Sequence, residues 1–182
     1  MTARQNRHIS IAPLVVSLAL LALLAVFIRY HLDTIQPLPS TAPISVFSAG
    51  RAFEALQKLN PGEAAHPVDS AADRAIAERL VDALDAMGYR PEIQQTPVCG
   101  SVARGLKRCT NISNVIATIE GREPGHGILL SAHYDSVPAG PGASDDGMGV
   151  ATLLEVARLM QREPQPRNTI VMLFNEGEEF GL

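Results

Sequence analysis

The sequence predicts an α/β domain, a mixed and mostly parallel sheet with helices on both faces, preceded by one transmembrane helix. Two observations carry the fold class: strand-like apolar runs alternate with helical periodicities between Ser48 and Phe174, and polar clusters punctuate the ends of those runs. A third, an uncharged apolar run near the N-terminus, carries the membrane helix.

That run, ISIAPLVVSLALLALLAVFI from Ile9 to Ile28, is twenty residues long. As a helix rising ~1.5 Å per residue it spans about 30 Å, the thickness of a bilayer core. No small-x-small cleavage site follows it in Ala25-Val26-Phe27-Ile28-Arg29-Tyr30, so it reads as an uncleaved anchor rather than a signal peptide. Arg4 and Arg7 precede the span, whereas Arg29 and then Asp33 follow it, which favours a cytoplasmic tail at 1–8. The rest then faces a periplasmic, lumenal or extracellular compartment.

Residues 29–43 end in Gln36-Pro37-Leu38-Pro39-Ser40-Thr41-Ala42-Pro43, whose prolines predict an extended linker before a domain at 44–182. A helix is expected from about Ser48 to Leu59, with Phe53 and Leu56 inward and Asn60-Pro61-Gly62 as its stop. Ser70 and Asp73 have the spacing of a capping box. Ile76, Leu80, Ala83, Leu84 and Met87 then recur at helical spacing until Gly88. Strands are expected at 114–119 and 128–132, separated by the turn Gly121-Arg122-Glu123-Pro124-Gly125. Val150, Leu153, Leu154 and Ala157 mark another helix, and Thr169 to Phe174 is a continuous apolar strand. In such a sheet the ligand site belongs at the C-terminal strand ends.

The 19 acidic and 15 basic side chains give a net charge of −4 with no basic block, so the footprint of a nucleic-acid binder is missing. Cys99 and Cys109 could close the loop CGSVARGLKRC as a disulfide in an oxidising compartment; the other reading is two independent thiols. Metal binding by the pair is disfavoured, because no histidine or further cysteine lies near it in sequence.

Three polar clusters fall where a site belongs: His133-Tyr134-Asp135 ends one strand, Ser144-Asp145-Asp146-Gly147 opens a helix, and Glu176-Gly177-Glu178-Glu179 ends the next strand. Each alone has an ordinary reading as a surface pair, a helix cap or a solvated turn. Together they offer imidazole nitrogen and carboxylate oxygen converging from separate elements, which is what zinc requires. A bridging carboxylate would suit two ions about 3.5–4 Å apart. Asp135 can hold the tautomer and orientation of His133, and the adjacent glutamates can divide into a ligand and a free base.

The stretches SAHYDSVPAGPGASDDGMGVATLLEVARLM and NTIVMLFNEGEEFGL resemble the di-zinc exopeptidases of bacterial leucyl aminopeptidase, aminopeptidase Y and glutamate carboxypeptidase type (peptidase family M, number twenty-eight). Looser likeness in AHPVDSAADRAIAERLVDALDAMGY and NISNVIATIEG extends the match over roughly 48–182. With its leading membrane helix the chain is similar to the branch of endoplasmic-reticulum and vacuolar membrane peptidases and their bacterial relatives.

The resemblance implies a zinc exopeptidase type of fold and two Zn2+ ions acting on a peptide substrate. His133 would bind one ion, Asp145 would bridge both, and Glu179 would bind the other. Asp135 would orient His133. Glu178 would be the general base, taking a proton from the metal-bridging water as it attacks a peptide carbonyl and passing it to the leaving amine. Asp146 and Glu176 would be supporting groups. It also implies that an Asp and a His completing the metal shells come from beyond Leu182, since His8, His31, His66 and His126 lie outside the matched positions. The expectation is therefore an incomplete domain, inactive as this chain alone, whose parent is an exopeptidase, specifically an aminopeptidase.

Three other readings stand beside it. The related metal-dependent amidohydrolase and carboxypeptidase group also has a His-x-Asp, a Val-Pro and a Glu-Glu pair, but tends to follow its Asp with a Lys-Gly-Gly type run where this chain has Ser144-Asp145-Asp146-Gly147. A glutaminyl-cyclase-like acyl transfer would use a similar fold with a single zinc. A non-catalytic ectodomain would not need to retain His133, Asp145, Glu178 and Glu179 together.

Overall fold

The structure, a computed structural model, describes residues 11–31, 36–101 and 107–181. The expected tail at 1–8 and the middle of the Cys99–Cys109 loop lie outside these residues. The chain forms two units, residues 1–36 and 37–182.

The first unit holds helix α1, Ala12–His31, whose apolar window has a mean hydropathy of 2.4. Its twenty residues are long and apolar enough to cross a membrane.

The second unit contains α2 (Ala49–Leu59), α3 (Ala71–Ala86), β1 (Glu92–Ser101), β2 (Lys107–Ile119), β3 (Ile128–His133), α4 (Gly147–Met160) and β4 (Ile170–Asn175). The strands form one mixed sheet in the order β1-β2-β4-β3. β3 and β4 run parallel around the α4 crossover, whereas β2 is antiparallel to both β1 and β4.

The core explains why these segments form these elements. Alternate residues Val115, Ala117, Ala132, Met172 and Phe174 turn to one face of the sheet and are buried there. They meet Ile76, Leu80 and Leu84 of α3 and Val150, Leu154 and Ala157 of α4 in one cluster. Each fully buried Leu or Phe stabilises the fold by roughly 1.5–3 kcal/mol. Helices α3 and α4 thus cover that face. On the opposite face Ile116, Val171 and Leu173 are half-buried and Leu129 is exposed.

Helix α3 begins where the sequence places it, with Ser70 Oγ accepting from the Asp73 N–H at 3.1 Å, and it ends before Gly88 at φ 86°. One expectation is corrected, and one strand lies where the sequence raised no expectation. Phe53 does not point inward: it is 60% exposed, and α2 packs on α4 through the face carrying Ala52 and Leu59. The polar, proline-containing run at 92–101 is a strand, β1, at the edge of the sheet. Pro97 is tolerated there, because an edge strand need not donate on both sides.

The proline-rich stretch from 37 onward is packed on the start of α2. Gly50 N donates to Leu38 O at 3.0 Å, Ser48 Oγ to Pro39 O at 2.7 Å, and Arg51 Nη1 to Ser40 O and Ala42 O at 3.0 and 2.8 Å. Gly50 is required for this approach, since a Cβ there would lie 2.3 Å from Ser40 N.

Candidate metal centre

Because β3 and β4 are parallel neighbours, with His133 opposite Asn175, the polar residues that follow each strand emerge side by side. The third cluster arrives by a tight loop. Gly142 adopts φ 61° with Ser136 against it, where a Cβ would fall 2.8 Å from Ser136 Cβ, and Gly147 N donates to Gly142 O at 2.9 Å. That turn returns the chain so that Asp145 lies over His133. The Asp145–Asp146 peptide is cis. Asp146 caps α4, accepting from the Gly149 N–H at 3.1 Å.

His133, 8% exposed, is held at both ring nitrogens. Nδ1 lies 3.2 Å from the Asp135 carbonyl oxygen and 3.6 Å from its Oδ1, while Nε2 lies 3.1 Å from Asp145 Oδ1 and 3.9 Å from Glu178 Oε2. Burial works to lower the His133 pKa, but the hydrogen bond to Asp145, that to Asp135, and the charges of Asp135 and Glu178 outweigh it and raise the pKa above its ordinary value.

Asp135 is fully buried and joins the two strand ends: its Oδ1 accepts from the Glu178 N–H at 3.3 Å and its Oδ2 from the Glu179 N–H at 3.1 Å. Asp135 thereby fixes the imidazole through its backbone carbonyl and the turn that carries the glutamates through its carboxylate. His133, Asp145 and Glu179 each present one donor atom within 4.8 Å of the others. The side chains of Asp145 and Glu178 are exposed. The donor set fits zinc: one imidazole with its second nitrogen occupied, two carboxylates converging on it, and backbone N–H groups spent on the supporting Asp135 rather than on the ligands.

Beneath these groups is a network that sequence reasoning did not find. Glu176, 5% exposed, accepts from Asp69 N at 3.0 Å, from Ser113 N at 2.5 Å and from the Tyr134 hydroxyl at 3.2 Å, and its own N–H donates to Asn114 Oδ1 at 3.1 Å. Tyr134 Oη also donates to Ser113 O. Burial, together with the neighbouring Glu176 and Asp73 carboxyls, raises the Tyr134 pKa, so the phenol keeps the proton it donates. The network ties α3, β2, β3 and β4 together just behind the candidate ligands. Glu176, expected as a supporting group, and the tyrosine between His133 and Asp135 were its visible traces in the sequence; its partners were not.

Residues 114–182 match the model of Peptidase family M28. A vacuolar membrane protease of Eremothecium gossypii is 42% identical over 97 residues, which are 53% of this chain and 10% of that one. Among solved structures, Porphyromonas gingivalis glutaminyl cyclase matches at TM-score 0.60 and 30% identity, over 71% of this chain and 45% of that one. A Zn-dependent exopeptidase from Parabacteroides distasonis matches at TM-score 0.58 and 24% identity over 75% and 49%, a likeness of fold. The chain spans about a tenth of the length of the curated relative and about half of each solved chain. Residues 114–182 thus carry the likeness to peptidase family M28, on a fold shared with zinc-dependent exopeptidases.

Proposed function

We propose that this chain is the membrane-anchored part of a zinc-dependent exopeptidase, an aminopeptidase, in which His133, Asp145 and Glu179 would hold two zinc ions, with Asp145 shared between them. The observation that carries the reading is the convergence of these three donor atoms within 4.8 Å at the ends of a parallel strand pair. Zinc, when bound, supplies positive charge that makes water more acidic and polarises a peptide carbonyl.

The rest is the work of the protein's own groups. Asp135 holds the His133 ring through Nδ1 and pins the 178–179 backbone, so the ligands need little rearrangement. Glu178 stands beside His133, its Oε2 3.9 Å from Nε2, with its side chain 59% exposed and without a side-chain hydrogen bond among the described residues. It is therefore available to take a proton from the attacking water and deliver it to the leaving amine. The name of the Eremothecium relative and the apolar α1 both support a membrane location. A cytoplasmic N-terminus would place the catalytic unit in an oxidising compartment, in keeping with the disulfide between Cys99 and Cys109.

The 30% identity to a glutaminyl cyclase supports a second reading, in which the same three donors hold a single ion and the reaction closes an N-terminal glutamine on itself. Full-length protein extracted from membranes separates the two. Hydrolysis of leucyl peptides, abolished by chelation and lowered by about 10²–10⁴ in kcat in Glu178→Gln with zinc content unchanged, is the result expected here. Release of ammonia from glutaminyl peptides without hydrolysis would favour the cyclase, and hydrolysis that survives chelation would exclude both.

A further inference from the structure

Register places a cation at the site. Val115 pairs with Phe174 in antiparallel β2 and β4, so the earlier residues of β2 run past the end of β4 and beside the turn that carries Glu178, Glu179 and Phe180. There the Arg108 guanidinium carbon lies 4.5 Å from the centre of the Phe180 ring. Arg108 and Phe180 line a cleft of about 290 Å3 whose other walls include Val68, Pro138, Asp135 and Glu179. The next residue, Cys109, is bonded to Cys99 across the β1–β2 pair, which stiffens the arm at the point where Arg108 leaves it.

Among the described residues no ion pair includes Arg108. The other charged walls of the cleft are already committed: Asp135 accepts from the backbone of the 178–179 turn, and Glu179 converges with His133 and Asp145. A guanidinium whose face rests on an aromatic ring keeps its N–H edge free. That edge is matched to a carboxylate in a two-point hydrogen bond.

We propose that Arg108 is a specificity-determining residue that binds a carboxylate of the peptide, giving the site a preference for short substrates bearing one near the cleaved bond. The inference rests on the peptidase reading above. Two sources share this chemistry, the terminal carboxylate of a short peptide and an acidic side chain.

The test compares Arg108→Gln and Arg108→Lys with the unaltered full-length protein on leucyl-glycine, leucyl-glycinamide and leucyl-aspartyl-amide. In Arg108→Gln the preference for carboxylate-bearing peptides over the amide, taken as a ratio of kcat/KM, should fall about tenfold, mainly through KM, and Arg108→Lys should restore part of it. A response from leucyl-glycine identifies the terminal carboxylate as the source, and one from leucyl-aspartyl-amide the side chain. An equal loss on all three peptides, or an unchanged ratio, would overturn the assignment. Binding of N-acetyl-leucyl-glycine and its amide to metal-free protein, followed through the Arg108 Nε–H resonance, is independent of turnover. Discrimination there, together with no hydrolysis of the three leucyl peptides by the zinc-loaded full-length protein, would refute the peptidase reading and leave Arg108 standing, whereas equal binding of acid and amide would refute Arg108.

Discussion

Glu155 and Asp73 are buried almost equally, at 4% and 1% exposure, and their surroundings are opposite. Glu155 accepts from Arg158 Nε at 2.7 Å and Nη2 at 2.8 Å, from Ser48 N at 2.9 Å and from Arg51 Nε at 3.1 Å. Burial works to raise its pKa, but these donors outweigh that and hold it below the ordinary carboxylate value. Asp73 has one oxygen with no partner. Its own burial first, then Glu176 and Asp135, push its pKa up to about 9 against the weak opposing pull of Arg74. Glu155 joins α4 to α2 and to the 38–48 segment, away from the strand ends; Asp73 lies behind them. The fold thus pairs its buried acid with cations in one place and crowds carboxyls against one another behind the strand ends, where Asp73 keeps its proton instead.

The sharpest way to break this comparison is Glu155→Gln, which strands two arginines whose side chains are only 15% and 21% exposed. A loss of about 3 kcal/mol is expected, read as a lower midpoint in thermal unfolding of the solubilised protein. Acid should reproduce part of the loss. With its folded pKa below the unfolded one, Glu155 stabilises the fold fully above the ordinary carboxylate range, and this is withdrawn as pH falls through the folded value. A midpoint insensitive to the substitution would show that the arginines find other partners.

A smaller effect of opposite sign is expected from Asp73→Asn. The folded state keeps a proton on Asp73 that the unfolded chain releases near 3.8, so Asp73 costs stability increasingly as pH rises from there toward 9. Asparagine removes the charge and should raise stability by about 1–2 kcal/mol at pH 8 and by almost nothing at pH 4. Paired melts at the two pH values check this, and an equal change at both would place the effect in packing rather than ionisation.

The site was more legible in the sequence than the frame around it. His133, Asp145 and Glu179 each sit where an apolar run or helix begins or ends, and a parallel strand pair brings such ends together. Strand β1 was not legible, because its exposed, glutamine-bearing run with Pro97 has neither an apolar run nor alternation. Arg108 was hidden for a related reason: its neighbours are polar, and only the register of β2 against β4 shows that it overhangs the site. Phe53 misled because periodicity identifies an apolar stripe but not which edge of it meets α4. The Glu176 network depends on contacts across β2, β3 and α3 that no local pattern encodes.

The most direct test of the central claim is zinc binding by the full-length protein, measured by titration after chelation and compared with His133→Ala. The unaltered protein should bind zinc, and the substitution should weaken the binding by at least about 100-fold with far-ultraviolet circular dichroism unchanged. Equal affinity in both proteins would contradict the claim and place the metal, if any, elsewhere in the molecule.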